Sequence, residues 1–216
     1  MNEFGEYDTF AFDCDGVILN SNEQKSEAFF KSTLKYGKDN ASRFKDYHIK
    51  NGGISRNLKF KYFFESILKK KDYLSDLDEV MNDYSDIVKK DLQESDVTPK
   101  LSELKRKYKK QNWLIVSGSN QDELREIFKK RKIDKLFDSG IYGSPRDKIT
   151  IFNELKSTST LKKKTIYFGD SLYDYECAKK CNVDFCFVSS WSELKDWRVM
   201  FKNKGIKTIN SLEDLI

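Results

Sequence analysis

The sequence predicts an α/β fold, in which a parallel β-sheet is flanked by helices and interrupted by a purely helical domain. Short apolar runs rich in β-branched and aromatic residues recur along the chain, and helical patterns separate the later ones. Such alternation is typical of a parallel sheet covered on both faces, whose strands are apolar throughout. Residues 20–94 break the alternation, because they show helical periodicity and no convincing strand.

Five strands are predicted for the sheet, and three helix starts accompany them. The strands cover residues 7–13, 113–117, 139–143, 165–170 and 184–189. Thr98-Pro99 offers a capping threonine with proline at the first helical position. Asn120 is followed by Glu123 in the spacing of a capping box, and Ser144-Pro145 opens a third helix.

The inserted segment carries three apolar stripes at helical spacing. Their members are Phe29, Phe30 and Leu34, then Leu58, Tyr62, Phe63 and Leu68, and finally Val80, Tyr84, Ile87 and Val88. We therefore expect a core domain formed by residues 1–19 and 95–216. Residues 20–94 would form a small helical bundle, joined to the core by linkers near residues 20 and 94–98.

Composition and charge exclude several classes of protein. Aromatic residues make up 14% of the chain, which is too many for a disordered protein even with 35% charged residues. No apolar run is long enough to span a bilayer and the acidic N-terminus lacks the features of a signal peptide, so we expect a soluble, cytoplasmic protein without a membrane partner. Acidic residues are interspersed with the lysine runs behind the net charge of +5. Solvated helix faces are therefore favoured over a nucleic-acid surface, although a mild positive charge can attract an anionic substrate.

The four cysteines are expected to be buried free thiols. Cys177 and Cys181 lie four residues apart on a predicted helix, whereas Cys14 and Cys186 lie elsewhere. A metal site would need further ligands, and the one histidine, His48, is distant in the sequence. A thiol-based metal site is therefore not favoured.

Two carboxylates end the first predicted strand. Asp13 and Asp15 are separated by one residue and are followed by Gly16. Open α/β sheets bind their ligands at the carboxyl ends of the strands. Because two acids this close repel each other, a cation or a shared proton is expected between them. A turn rich in aspartate and glycine is the structural alternative.

Three later segments carry polar residues in comparable places. Ser117-Gly118-Ser119 precedes a helix and offers hydroxyls and backbone amides to an anion, although helix capping alone explains serine there. Asp170 ends a strand and Asp174 follows four residues later, so a second carboxylate pair can complete a hard-cation site. Lys148 lies near the start of a helix and, taken alone, is one lysine among many.

Together these segments resemble the four motifs of the haloacid dehalogenase superfamily. Asp13-Cys14-Asp15-Gly16-Val17 is similar to the first motif, DxDG[VT], and Ser117 to the second, a strand ending in serine or threonine. Lys148 matches the third motif, and Gly169-Asp170-Ser171-x-x-Asp174 matches the fourth. The resemblance covers the whole chain and implies a Rossmann-like core whose helical insert is a C1 cap.

The resemblance also implies a reaction. Asp13 would attack phosphorus and carry the phosphoryl group as an aspartyl phosphate. Asp15 would protonate the leaving alkoxide and then deprotonate the attacking water. Ser117 and Lys148 would stabilise the phosphoryl oxygens during the transfer.

A magnesium ion is the cofactor that the resemblance implies. Its ligands would be one oxygen of Asp13, the main-chain carbonyl of Asp15 and the carboxylate of Asp170, with waters completing the octahedron. Asp174 would orient Lys148 or a metal-bound water without touching the metal itself.

Within the superfamily the chain resembles the branch of phosphoglycolate phosphatase and β-phosphoglucomutase. The segment Asn51-Gly52-Gly53-Ile54-Ser55-Arg56 is similar to the cap loop of β-phosphoglucomutase. The likeness implies that Arg56 meets the distal part of the substrate and that Gly53 permits close backbone approach. A plain turn between helices is the alternative. Further candidates for substrate binding are Lys25, His48, Asn22, Gly118 and Ser119.

The predicted function is Mg²⁺-dependent hydrolysis of a small phosphate monoester, such as a sugar phosphate or an amino-alcohol phosphate. Asn20-Ser21-Asn22 and the cap loop also resemble phosphatases of bacterial surface polysaccharide assembly. Asn20 stands at a position where related enzymes often carry aspartate. Because of this difference, the substrates of those enzymes are a poorer guide to the substrate of this protein. A β-phosphoglucomutase-like sugar phosphomutase is an alternative, favoured by the Gly-x-Ser-Arg loop. A second alternative is a non-catalytic protein that binds its partner through the basic surface. The four intact motifs argue against this alternative.

Overall fold

A parallel sheet of six strands forms the centre of the molecule. The computed structural model describes residues 3–202 and 204–216. The strands are β1 (Thr9–Phe12), β2 (Asn112–Asn120), β3 (Ile141–Ser144), β4 (Thr165–Gly169), β5 (Asp184–Val188) and β6 (Lys207–Ile209). They lie in the order β3-β2-β1-β4-β5-β6, which places β1 inside the sheet. The predicted α/β class is confirmed. Met1 and Asn2, which begin the predicted core segment 1–19, lie outside the described residues.

Helices cover the two faces of this sheet and fill the segment between its first two strands. Five α-helices follow β1 before the chain reaches β2. The first four lie within residues 22–94, which we call the helical insert: α1 (Asn22–Thr33), α2 (Lys38–Lys50), α3 (Arg56–Tyr62) and α4 (Leu74–Glu94). The later helices are α5 (Leu101–Lys107), α6 (Gln121–Lys130), α7 (Lys148–Ser157), α8 (Leu172–Lys180) and α9 (Trp197–Lys202). Apolar residues of α5 and α6 pack on one face of the sheet, and those of α7, α8 and α9 on the other.

The central strand β1 is buried on both faces, which explains its continuous apolar sequence. Phe10 and Phe12 belong to the apolar cluster on one face, whereas Ala11 belongs to the cluster on the other. The Phe12 ring lies 4.8 Å from the Trp113 ring and 5.2 Å from the Phe168 ring, so aromatic side chains of β1, β2 and β4 form one packed layer. The same cluster continues into the helical insert, which therefore shares a core with the sheet.

Several boundaries differ from the predicted ones because long-range contacts decide them. Strand β6 was not predicted, because it is a three-residue edge strand whose residues are partly or fully exposed. Helix α5 begins at Leu101 rather than at Thr98-Pro99, since Lys100 has a left-handed backbone and the Thr98 amide donates to Ile18 O at 2.8 Å. Helix α7 begins at Lys148, capped by Asp147, because Ser144 still belongs to β3.

The apolar stripes of the helical insert are correct in part. Helix α4 buries Val80, Tyr84, Val88 and Leu92, and Ile87 is only half-buried. Leu34 and Leu58 were expected to be buried but are 45% and 53% exposed. The face that α3 buries contains Arg56, Lys59 and Phe60, and it continues into a π-helical turn over Phe63–Ile67. Because two of the buried residues on that face are cations, hydropathy does not predict which face of α3 is buried.

The remaining expectations from composition concern thiols and membrane spans. All four cysteines are free and buried, as expected. Within residues 3–202 and 204–216, no helix combines the length and the apolar character that crossing a bilayer requires.

The observed orientation of α3 predicts losses of stability of very different size for two nearby substitutions. Phe60→Ala removes a ring that is fully buried and should lower the free energy of unfolding by about 3–5 kcal/mol. Leu58→Ala, two residues earlier, should cost about 0.5 kcal/mol or less because the side chain is exposed. Urea denaturation of both variants measures the difference, and equal costs would contradict the orientation described.

Candidate active site

The carboxyl end of β1 delivers Asp13 and Asp15 to the edge of the sheet. The Asp13 amide donates to Phe168 O at 2.8 Å, which fixes the backbone between β1 and β4. Gly16 has φ +75°, and a Cβ built there would lie 2.2 Å from Oδ2 of Asp170. Glycine at this position therefore permits both the left-handed turn and the close approach of the Asp170 carboxylate.

The end of β2 brings a buried hydroxyl and a tight backbone contact to the same edge. Ser117 is fully buried, and its Oγ accepts a hydrogen bond from the Ser119 amide at 3.1 Å. A Cβ on Gly118 would lie 2.5 Å from Gly53 O, so the loop before α3 approaches the end of β2 closely. Gly53 itself has φ +81°, and a Cβ there would lie 2.8 Å from Ser171 Oγ. The helical insert thus meets the sheet edge at two glycines.

Asp174 is held rigidly at the start of α8. Its Oδ2 accepts from the amide and the hydroxyl of Ser171, at 3.1 and 2.6 Å, which completes a capping box. Its Oδ1 accepts from the Tyr167 hydroxyl at 2.8 Å and from Lys148 Nζ at 2.5 Å. Both carboxylate oxygens of Asp174 are therefore occupied by donors from the protein.

Lys148 connects Asp174 to the end of β1. Its side chain is 1% exposed, and Nζ lies 2.9 Å from Oδ1 of Asp13 and 2.5 Å from Oδ1 of Asp174. Burial opposes its charge, but the two carboxylates outweigh burial and raise the pKa of Lys148 above its usual value. The lysine thus remains an ammonium between two carboxylates.

Three buried acids at this edge exceed the positive charge available to them. Oxygens of Asp13, Asp170 and Asp174 all lie within 4.8 Å of one another. Burial and the neighbouring carboxylates raise the pKa of Asp13 to about 7, despite Lys148, and raise the pKa of Asp170 well above its usual value. The Lys148 contact does not satisfy Oδ1 of Asp13, and no donor from residues 3–202 or 204–216 reaches this atom in suitable hydrogen-bond geometry. A hard cation fits this set of oxygen donors.

Asp15 points away from that cluster and toward the helical insert. Lys25 of α1 donates to Oδ2 of Asp15 at 2.5 Å, Ser119 donates to the same atom at 2.8 Å, and Ser21 donates to Oδ1 at 2.6 Å. Burial favours the neutral acid, but Lys25 and the two hydroxyls hold the pKa of Asp15 below its usual value. The contacts between Lys25 and Asp15 also raise the pKa of Lys25 to about 12, although burial opposes its charge.

A cleft of about 230 Å³ lies above these residues and is lined from both sides. The sheet edge contributes Asp13, Asp15 and Asp170, and the helical insert contributes residues of α1, α3 and α4. The loop over residues 51–54 lines the cleft as well. Any ligand in this cleft would contact the candidate catalytic acids and the helical insert together.

Comparison with known proteins decides the family. The sequence model described as haloacid dehalogenase-like hydrolase matches residues 10–188, which is most of the chain. The chain belongs to the haloacid dehalogenase-like hydrolase family. The resemblance drawn from the four motifs is thereby confirmed, and the protein is a hydrolase of this family.

Solved structures share the fold of this hydrolase from end to end. A Clostridium acetobutylicum protein described as "a predicted phosphatase" has a TM-score of 0.74 at 21% identity, with 97% of this chain and 96% of that chain covered. A β-phosphoglucomutase from Clostridium difficile has a TM-score of 0.70 at 19% identity, covering 97% and 93%. A hydrolase from Pseudomonas syringae has a TM-score of 0.70 at 18% identity, covering 96% and 95%. The TM-scores establish a common fold. A search among curated proteins finds no significant match.

Two of the residues expected to bind substrate are occupied by other groups of the hydrolase. Arg56 lines the cleft, but its Nη1 and Nη2 each donate to the Glu123 carboxylate at 2.9 Å. His48 is buried, with Nδ1 2.6 Å from Lys59 Nζ. Glu123 was expected to complete the capping box of α6, but only the Asn120 side chain caps this helix. The substrate roles of Arg56 and His48 stay predictions.

Three cleft residues were not predicted as such from the sequence: Lys59, Glu123 and Glu193. Lys59 lies three positions after Arg56 on α3, and this spacing places both side chains on one helix face. This spacing is visible in the sequence, but it does not distinguish Lys59 from the many other lysines of the chain. Glu193 lies in a long connection after β5, where nothing local indicates its approach to Ser26 at 2.9 Å.

The Arg56–Glu123 pair should couple the helical insert to the rest of the hydrolase. Both side chains are mostly buried, at 9% and 14% exposure, and the pairing is bidentate. A double-mutant cycle with Arg56→Gln and Glu123→Gln should give a coupling energy of about 1–3 kcal/mol in denaturation experiments. The exposed pair Glu126–Lys130 is the control and should couple far more weakly, because water screens both charges. Equal coupling in the two pairs would overturn this assignment.

Proposed function

We propose that this hydrolase is a Mg²⁺-dependent phosphatase that cleaves a small phosphate monoester through a phosphoryl group carried by Asp13. The observation that carries the proposal is the cluster at the sheet edge. Asp13 lies beside the ammonium of Lys148 and near the carboxylate of Asp170, and all three lie at the carboxyl ends of strands or the start of a helix. Asp15, a proton carrier, is two residues from Asp13 along the chain.

Magnesium is supported by the chemistry of the available donors. Asp13 and Asp170 offer carboxylate oxygens, and the charge of these acids is poorly compensated within the protein. The side chain of Asp174 is filled by donors from Ser171, Tyr167 and Lys148, so we assign it a positioning role rather than a ligand role. When bound, the metal would neutralise phosphate charge that otherwise repels an anionic nucleophile.

The first half of the reaction uses Asp13 as nucleophile. Its carboxylate oxygen attacks phosphorus in line with the ester oxygen, the new O–P bond forms, and the P–O ester bond breaks. The leaving alkoxide takes its proton from Asp15. Lys148 and the buried hydroxyl of Ser117 stabilise the phosphoryl oxygens as charge moves onto them.

The second half reverses the role of Asp15. The carboxylate takes a proton from water, and the resulting hydroxide attacks phosphorus and releases Asp13 and inorganic phosphate. Asp15 is held ionised by Lys25, Ser21 and Ser119, which is the form that a general base requires. To act first as an acid it must bind a proton, and a substrate anion that attracts Lys25 away from Asp15 would favour protonation.

The helical insert would control access to these steps. The contacts between Gly53 and Gly118 and between Gly53 and Ser171 are close enough to exclude side chains and water at those points. Arg56 and Glu123 hold the opposite wall of the cleft. Opening of the insert would admit substrate, and closure would shield the phosphorylated Asp13 from bulk water.

Replacing the proposed nucleophile should abolish turnover without unfolding the protein. Asp13→Asn retains the size of the side chain but removes the attacking oxygen, so phosphate release should fall by at least about 10⁴-fold. Circular dichroism and thermal melting check the fold, and Asp72→Asn, at an exposed position in the insert, serves as the matched control. Near-normal activity in Asp13→Asn would falsify the nucleophile assignment.

Phosphate release from a panel of small phosphate esters should depend on magnesium. We expect EDTA to reduce the rate to background and added Mg²⁺ to restore it. Asp170→Asn removes a charged ligand and should raise the Mg²⁺ concentration required by about 10–100-fold, whereas Asp72→Asn should leave it unchanged. Full activity in EDTA would refute the metal requirement. If the protein converts a sugar 1-phosphate into the 6-phosphate without releasing phosphate, its activity is that of a phosphomutase and the hydrolysis proposed here is wrong.

A further inference from the structure

One buried cation in the cleft has no acidic partner. Lys59 on α3 is 2% exposed and lines the cleft. Among residues 3–202 and 204–216, its one hydrogen-bond partner is Nδ1 of His48, at 2.6 Å, and no carboxylate lies within ion-pair distance of Nζ. The other buried cations of the cleft differ in this respect, since Lys25 pairs with Asp15 and Arg56 pairs with Glu123.

The surroundings of Lys59 disfavour its charge. Burial, followed by the positive charge of Lys25, lowers the pKa of Lys59 to about 7, and Asp15 and Glu193 offset this only in part. Both oxygens of Glu193 accept from Ser26, at 2.9 and 3.1 Å. The Phe29 ring lies below the ammonium at 5.4 Å. A buried lysine in such surroundings destabilises the fold unless an anion joins it.

His48 does not supply that anion. Burial and the charge of Lys59 lower the pKa of His48 well below its usual value, so the imidazole is neutral and accepts a hydrogen bond through Nδ1. An ammonium group has three N–H bonds, and only this one is used among the described residues. Two donors of Lys59 are therefore available at the insert end of the cleft.

We propose that the insert end of the cleft binds a second anionic group of the substrate, a carboxylate or a further phosphate, through Lys59. This inference rests on the proposed function, because it names the substrate class of the same site. One anion in contact with Lys59 would balance its charge and satisfy its unused donors. The small volume of the cleft, about 230 Å³, places this anion on a compact metabolite that reaches from Asp13 to α3.

The same charges select against other phosphate esters. The ammonium of an amino-alcohol phosphate would lie near Lys25 and Lys59 and would be repelled by both. A neutral sugar would leave the buried amine without a counterion. The ordering expected from the structure is therefore anionic first, neutral second and cationic last.

The test compares esters that differ in one group. Phosphoglycolate and its longer ω-phosphorylated homologues are compared with alkyl phosphates of equal length, with alkanediol bisphosphates and with phosphoethanolamine. We expect kcat/KM to favour the carboxylate or bisphosphate series over the alkyl series by about 10–100-fold, the value of one charged hydrogen bond. The two anionic series distinguish a carboxylate site from a phosphate site.

Substitution then assigns the preference to Lys59. Lys59→Met keeps the aliphatic length without the charge and should reduce the ratio of anionic to neutral kcat/KM to near one. Lys61→Met is the matched control, because Lys61 lies on the same helix with a 59% exposed side chain, and it should retain the wild-type ratio. An unchanged ratio in Lys59→Met would overturn the proposal. If Lys59→Met fails to fold, the ratio of anionic to neutral kcat/KM in the wild-type protein tests the proposal, and a ratio near one overturns it.

A binding measurement separates this inference from the proposed chemistry. Calorimetric titration of Asp13→Asn protein with phosphoglycolate and with ethyl phosphate reports the preference without turnover. Tighter binding of phosphoglycolate supports the anion site even if no ester is hydrolysed, in which case only the phosphatase proposal fails. Hydrolysis of neutral and anionic esters with equal efficiency, together with equal binding, rejects the anion site and leaves the phosphatase proposal intact.

Discussion

The ammonium of Lys148 lies between two buried carboxylates, and the arrangement of the whole sheet edge depends on this contact. Asp13 follows β1 and Asp174 lies in α8, so a single side chain from α7 joins three elements. Without it, the two acids would repel each other in a region that water does not reach. With it, two negative charges are still uncompensated once Asp170 is included, which suits the edge to a cation and a phosphate.

Close backbone contacts bring the helical insert to this charged edge. A Cβ on Gly118 would clash with Gly53 O, and a Cβ on Gly53 would clash with Ser171 Oγ, so neither position can carry a side chain without displacement. The Arg56–Glu123 pair adds a bidentate link between α3 and α6 nearby. The result is a narrow cleft whose floor supplies carboxylates and whose roof supplies cations. Such a division of charge suits a ligand with a phosphate at the floor and a negative group toward the roof.

The buried polar face of α3 illustrates a conflict between stability and ligand binding. A helix that packs against α1 and α4 would be most stable with apolar residues on its inner face. Instead that face carries Arg56 and Lys59, and the hydrogen-bond partner of Lys59 among the described residues is a neutral imidazole. Groups of this kind are costly to bury, and active sites are where proteins retain them. Lys59 therefore gives the insert a chemical role beyond covering the sheet.

Local patterns in the sequence determined the fold class, five of the six strands and the family. Apolar runs of strand length can be recognised because burial on both faces leaves no polar alternation, and Asp13 and Asp170 directly follow two of these strands. The neighbourhood of Asp13, Asp15, Ser117, Lys148 and Asp170 could be anticipated, since parallel strands end at one edge. The catalytic roles of these residues belong to the proposed function.

Only the tertiary structure decided the partners of the charged residues. Glu123 sits at a capping-box position, yet it pairs with Arg56, which is 67 residues away in the chain. Lys59 stands in a lysine-rich sequence, and its isolation from acids depends on how α1, α2 and α3 pack around it. Ion pairs and desolvation depend on distance in space, and no local pattern encodes that distance. The sequence therefore determined which groups reach the sheet edge, and the packing of the helical insert determined which charges remain unbalanced there.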